Sequence, residues 1–114
     1  LLSDQQPLAK TCFSACGLDA FQTALRATGR RQILLAGIES HICVWQTARD
    51  LLNTGHHVEI VSDAVSSRTA ANKTLGLERM RQVGAEITSV EMCLFEVLKQ
   101  AGSAEFKQIA ALVK

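Results

Sequence analysis

The residue best placed to do chemistry is Cys43, in the segment Gly37-Ile38-Glu39-Ser40-His41-Ile42-Cys43-Val44. An apolar run, Ile33-Leu34-Leu35-Ala36, precedes it and reads as a strand buried on both faces, ended by Gly37. Ser40 is a candidate N-cap for the helical pattern that follows. Ligand sites of open parallel sheets lie at this carboxyl edge. In the first turn of a helix, the unpaired N–H groups and the positive end of the macrodipole favour an anion. A thiolate there is the nucleophile that acyl transfer requires, and the same N–H groups can bind the oxyanion formed when a carbonyl is attacked. The competing reading is a small buried hydrophobe, because free cysteine is among the most buried residue types. Residue types and spacing leave both readings open.

Other polar residues carry weaker signals. Taken alone, Lys10 is a solvated surface lysine. His41 lies two residues before Cys43 and so on another helix face, which argues against a Cys–His pair within one helix; it lines a pocket or faces solvent. His56 and His57 follow Gly55 at a helix end, where an imidazolium suits the dipole. Asp63 closes a strand at the same sheet edge as Cys43, either as acidic machinery or as a cap for N–H groups of the Ser66-Ser67-Arg68 turn. Ser66 and Ser67 lack a GxSxG elbow. Trp45 reads as core or subunit interface, and Cys93, on a helix stripe, as core.

The elements needed to hold this turn follow from periodicity. Leu18, Phe21, Ala24 and Leu25 predict a helix to Thr28 with Gly29 as its stop. Ile42, Trp45, Ala48 and Leu52, widened by Val44 and Leu51, predict the helix after Cys43, ending at Gly55. Val58-Glu59-Ile60-Val61 is the next strand, closed by Ser62-Asp63. Ser66, Ser67 or Thr69 caps a helix that buries Leu75, Leu77, Met80 and Val83. Ala85 to Thr88 is a third strand. Ser89 caps a helix with Val90, Leu94, Val97 and Leu98 on its stripe, and Ser103 caps a last one with Phe106, Ile109 and Leu112. Helices alternating with strands imply right-handed crossovers and a mostly parallel sheet covered on both faces, a three-layer α/β/α arrangement. Three strands are few for such a sheet and leave an open apolar edge, so further strands are expected upstream of Leu1.

Composition excludes several classes. The 114 residues are 47% hydrophobic and 20% charged with a net charge of +1, as in a globular protein. No basic run interleaves with aromatics, so nucleic acid is not an expected partner. No apolar stretch approaches the ~20 residues of a membrane span, and Leu1-Leu2 has no basic leader or cleavage site. The chain opens without Met and reads as a processed or partial chain. The four cysteines, at 12, 16, 43 and 93, have neither zinc-site spacing nor a disulfide-scaffold context. They read as reduced thiols, which with the missing leader gives a cytoplasmic expectation.

Several motifs in order resemble a known family. Gly37 to Val44, then Thr47-Ala48, Asp50-Leu51, Gly55, Val58 and Ser62-Asp63-Ala64-Val65-Ser66-Ser67-Arg68, are similar to the isochorismatase-like cysteine hydrolases, which include nicotinamidases and carbamoylsarcosine amidohydrolases. Lys10-Thr11-Cys12-Phe13-Ser14 and the closing Phe106-Lys107-Gln108-Ile109 resemble the branch of isochorismatase-domain-containing proteins. The likeness runs from Leu8 onward and implies that residues 1–114 are the C-terminal part of one such Rossmann-like domain.

The resemblance implies a hydrolase of a small amide or related substrate, with Cys43 as nucleophile and Lys10 beside it. It implies a cis Ile38–Glu39 peptide that aims the N–H groups of Glu39 and Cys43 into an oxyanion hole, and Phe13 and His41 are expected at the pocket. The family's catalytic Asp, at the end of its first strand, has no counterpart here, since Asp4, Asp19, Asp50 and Asp63 stand in other contexts. No cofactor and no metal are expected, because the metal ligands of the nicotinamidase branch lie in the unmatched part. The expected partners are a small-molecule substrate and further copies of the chain. A catalytically inactive α/β interaction module, and a redox-sensing thiol protein built on Cys12, Cys16 and Cys43, are the alternatives.

Overall fold

The computed structural model describes residues 2–114. A 3₁₀ turn, Ala15–Gly17, leads into α1 (Asp19–Thr28). Then follow β1 (Gln32–Ile38), a π-helical turn (Ser40–Val44) continuous with α2 (Trp45–Asn53), β2 (His57–Ser66), α3 (Ala70–Gln82), β3 (Glu86–Thr88), α4 (Val90–Leu98) and α5 (Ala104–Leu112). The strands form one parallel sheet in the order β1-β2-β3. The order of helices and strands is the one that periodicity predicts.

Local chemistry accounts for most boundaries. Gly29 sits in the left-handed region at φ 64° and closes α1. Thr69, Ser89 and Ser103 each accept the N–H three residues on, from Asn72, Met92 and Phe106, and so cap α3, α4 and α5. Of the three candidate caps for α3, Thr69 is the one used.

Strand alternation sorts the sheet's side chains. Ile33 and Leu35 of β1, Val58 and Ile60 of β2 and Ile87 of β3 share one face. They pack with Val44, Ala48, Leu51 and Met80, and with Phe21 and Leu25 of α1, to form the core. On the other face, Leu34 and Glu59 meet Cys93, Glu96 and Val97 of α4 around a cavity of about 510 Å³. Phe95 and Phe106, with ring centroids 6.0 Å apart, join α4 to α5.

Five local expectations are corrected. Gly37 does not end β1: the strand continues to Ile38 across a register break, since Leu35 pairs with Ile60 and Gly37 with Val65. β2 therefore does not close at Ser62-Asp63 but makes an excursion and returns to the sheet. Ser40 is not an N-cap; its hydroxyl donates to the Ser66 carbonyl at 2.9 Å, and α2 has no side-chain cap at its start. β1 is not buried on both faces: none of its residues is fully buried, and Leu34 is 54% and Ile38 71% exposed. Finally, Leu75, Val83, Val90, Val97 and Leu112 are exposed. A helical stripe shows which residues share a face, but not how far the opposing layer reaches.

No helix among the described residues is long and apolar enough to cross a membrane.

Candidate active site

The turn bearing Cys43 is built from both ends. At its base, the Glu39 carbonyl accepts the N–H groups of Ile42 (3.1 Å) and Val44 (3.2 Å), which winds Ser40–Val44 into a π turn rather than the α turn that a Ser40 cap would start. The Ile38–Glu39 peptide is cis. The Glu39 carboxylate accepts from the Arg68 backbone N–H and from Arg68 Nε, both at 3.0 Å. His41 Nδ1 and Ser67 Oγ share a hydrogen bond of 2.9 Å. Three consecutive residues of the turn are thus tied to three consecutive residues after the β2 excursion.

Lys10 arrives from far earlier in the chain. Its ammonium donates to the carbonyls of Cys12 and Phe13, at 2.8 Å each. An ammonium carries three donors, so two are committed to fixing the loop. The loop is held to α2 by Thr47, whose hydroxyl accepts the Ala15 N–H at 3.0 Å.

These elements converge on a cavity of about 190 Å³ at the carboxyl end of β1, lined by Lys10, Ala15, Leu35–Ile38, Cys43, Val44 and Thr47. It is small beside the ~300–1,000 Å³ of typical ligand sites, and the exposed Ile38 at its edge leaves it open on one side. Cys43 is half-buried. The cavity brings together Lys10, Ile38 and Cys43. Phe13 and His41 do not line it: the Phe13 side chain is exposed, and His41 turns to Ser67. Thr47 escaped the sequence reading as a site residue, although its spacing of four from Cys43 puts both on one helix face.

No carboxylate lines this cavity among the described residues. Asp63 reaches away from it: its Oδ1 accepts the Val90 N–H at 2.9 Å, at the first turn of α4, where a carboxylate suits the dipole. It does not cap the Ser66–Arg68 turn. Asp50 lies 3.4 Å from Arg49 on α2. One grouping with metal-ligand spacing occurs among the described residues, His57, Glu59 and Glu86. It involves the amino end of β2, remote along the strand from the Cys43 turn, and its His57–Glu86 contact of 3.7 Å is an ordinary ion pair when the imidazole is protonated.

The remaining thiols are unpaired. Burial, helped by the Asp50 charge and opposed by a Ser14 hydrogen bond, pushes the Cys16 thiol above its ordinary range. Cys93 sits 3.5 Å from the Thr88 hydroxyl.

Known proteins resemble this chain in sequence and fold. The family model for the isochorismatase domain matches residues 1–92. A secreted isochorismatase effector, Isc1, of Phytophthora sojae is 54% identical over 85 residues, which are 75% of this chain and 40% of that protein. Isochorismatase domain-containing protein 2 of Bos taurus is 41% identical over 110 residues, 96% of this chain and 53% of that protein. The chain therefore spans about half the length of the curated relatives it matches. Among solved structures, one titled as the MAR1 ribonuclease of Caenorhabditis elegans superimposes with a TM-score of 0.81 at 35% identity, over 91% of this chain and 53% of that one. The nicotinamidase PncA of Bacillus subtilis gives 0.66 at 30% identity, over 70% of this chain and 44% of that one.

Proposed function

This chain belongs to the isochorismatase family, and on that premise we propose that it carries the nucleophile of a hydrolase acting on a small amide or related carbonyl compound. The observation that carries the reading is the shared cavity: Cys43 and Lys10, far apart in sequence, line one space at the carboxyl end of β1. Cys43 Sγ bonds to the carbonyl carbon, and the carbonyl oxygen takes the displaced electron pair. The resulting oxyanion is held by the N–H groups of Glu39 and Cys43. Collapse expels the amine, which leaves with a proton, and the remaining thioester is cleaved by water to release the acid and the thiol. Lys10 stands beside the sulfur as a fixed positive charge. Proton transfer is assigned to a carboxylate outside residues 2–114, since none of the described ones lines the cavity.

Similarity to a nicotinamidase supports the amide class. Self-association belongs to the same reading, and exposed Leu34, Ile38 and Val97 are apolar surface it would cover.

The test is a panel of primary amides, vinyl ethers and an oligoribonucleotide offered to the intact protein and to Cys43→Ala. Turnover of a carbonyl substrate with trapping of an acyl group on Cys43 is the expected result. Turnover that survives Cys43→Ala overturns the reading. Cleavage of the oligoribonucleotide alone, the activity for which the Caenorhabditis elegans ribonuclease is named, also overturns it. The chain's net charge of +1 argues against that outcome.

A further inference from the structure

We propose that Arg68, with Ser67, is a positioning residue: the segment after β2 is a template on which the Cys43 turn is laid. This deepens the thiol-nucleophile reading and rests on it. Ile38 pairs with Ser66 in the sheet, and the next three side chains of the turn continue that contact. Ser40 bonds the Ser66 carbonyl, His41 bonds Ser67, and Glu39 bonds Arg68 twice. Glu39 is the pivotal link, because its carbonyl anchors Ile42 and Val44 on either side of Cys43 while its carboxylate is held by Arg68, just past β2. A shift of that carboxylate moves the base of the turn and the sulfur with it.

The arrangement is more than a surface ion pair. The Arg68 side chain is 78% exposed and that of Glu39 only 20%. An exposed pair contributes little to stability, so a purely structural Arg68 matters little to anything. Misplacing a reacting group by an ångström costs about 100-fold in rate, so a positioning Arg68 affects the thiol far more than the fold. The Arg68 N–H remains on Glu39 in any side-chain variant, which keeps the turn folded and makes the effect a graded one.

The experiment follows iodoacetamide labelling of the intact protein by peptide mass spectrometry. The second-order rate at Cys43 is read against Cys93 in the same molecules, and the melting temperature is read in parallel. In Arg68→Gln, labelling of Cys43 should fall about tenfold while Cys93 and the melting temperature hold. Arg68→Lys, which restores a cation beside the carboxylate, should recover to within about threefold of wild type. Ser67→Ala should give a smaller loss in the same direction. An unchanged Cys43 rate in Arg68→Gln overturns the proposal, as does equal loss in Arg68→Lys or parallel loss at Cys93. If Cys43 in the wild type labels no faster than Cys93, the nucleophile reading fails and the positioning role fails with it. Fast wild-type labelling with unresponsive variants removes the positioning role alone.

Discussion

Gly76 of α3 lies against the backbone of Ser40: a Cβ on it would stand 2.9 Å from the Ser40 carbonyl carbon and oxygen and 2.9 Å from the His41 nitrogen. The helix thus supports the Cys43 turn from beneath, and only hydrogen fits between them. Real Cβ atoms do not approach backbone this closely, so a side chain here must push the turn or the helix away.

Gly76→Ala separates two opposite effects. At an open mid-helix site the change gains roughly 0.5–1 kcal/mol. Overpacking costs roughly 1–3 kcal/mol, and here the obstacle is backbone, which cannot rotate aside. The expected outcome is a net loss of about 1–2 kcal/mol, read as a lower urea midpoint. A raised midpoint would show that the turn yields freely.

Alkylation should distinguish the four thiols. Cys43 faces a cavity beside a lysine, whereas burial holds the Cys16 thiol above its ordinary range and suppresses its thiolate. Cys43 should label first and Cys16 last at neutral pH. Equal labelling of Cys43 and Cys93 would count heavily against an activated nucleophile.

The Cys16 shift also has a stability consequence. The folded protein holds this proton more tightly than the unfolded chain, because burial disfavours the thiolate. Its contribution is complete below the unfolded thiol value and is lost as pH rises through the higher folded one. Urea unfolding across the alkaline range should therefore show a steeper decline in wild type than in Cys16→Ala. Parallel curves would contradict the assignment.

Lys10 is exposed, so its removal tests chemistry more than folding. Lys10→Met should lower kcat on any substrate found by about 100-fold or more, the scale of a lost electrostatic stabiliser, with the protein still folded by circular dichroism. Loss of the two carbonyl bonds to Cys12 and Phe13 should also loosen the loop and speed its proteolysis.

Asp63 is the decoy at the same sheet edge. As a helix-start carboxylate on Val90 N–H, its change to Ala should cost about 1 kcal/mol of stability and leave Cys43 labelling untouched. A large drop in labelling with no change in the urea midpoint would instead place it in the chemistry.

Much of this architecture was legible in the residues. Three hydroxyl caps, the glycine stop of α1 and the alternation of elements are local matters: each depends on side chains within one turn of the backbone they serve. The strand–turn–helix around Cys43 could be read for the same reason. The start of α2 misled, because Ser40 has the right type for a cap yet finds a better partner in the Ser66 carbonyl across the sheet. The exposure of Val97 and Leu34 was also hidden, because a stripe does not reveal what covers it.

By itself, then, the sequence determined the elements, their order, the parallel sheet and the cysteine at the head of a helix, since these follow from periodicity and capping along contiguous chain. Tertiary structure alone decided the β2 excursion that brings Ser66–Arg68 onto Glu39–His41. It also decided that Gly76 fits under the turn, and it brings to the Cys43 cavity the lysine, Lys10, that only the family resemblance had pointed to. Those relationships join segments distant in the chain, and they are set by how layers pack and strands register, which no local pattern encodes.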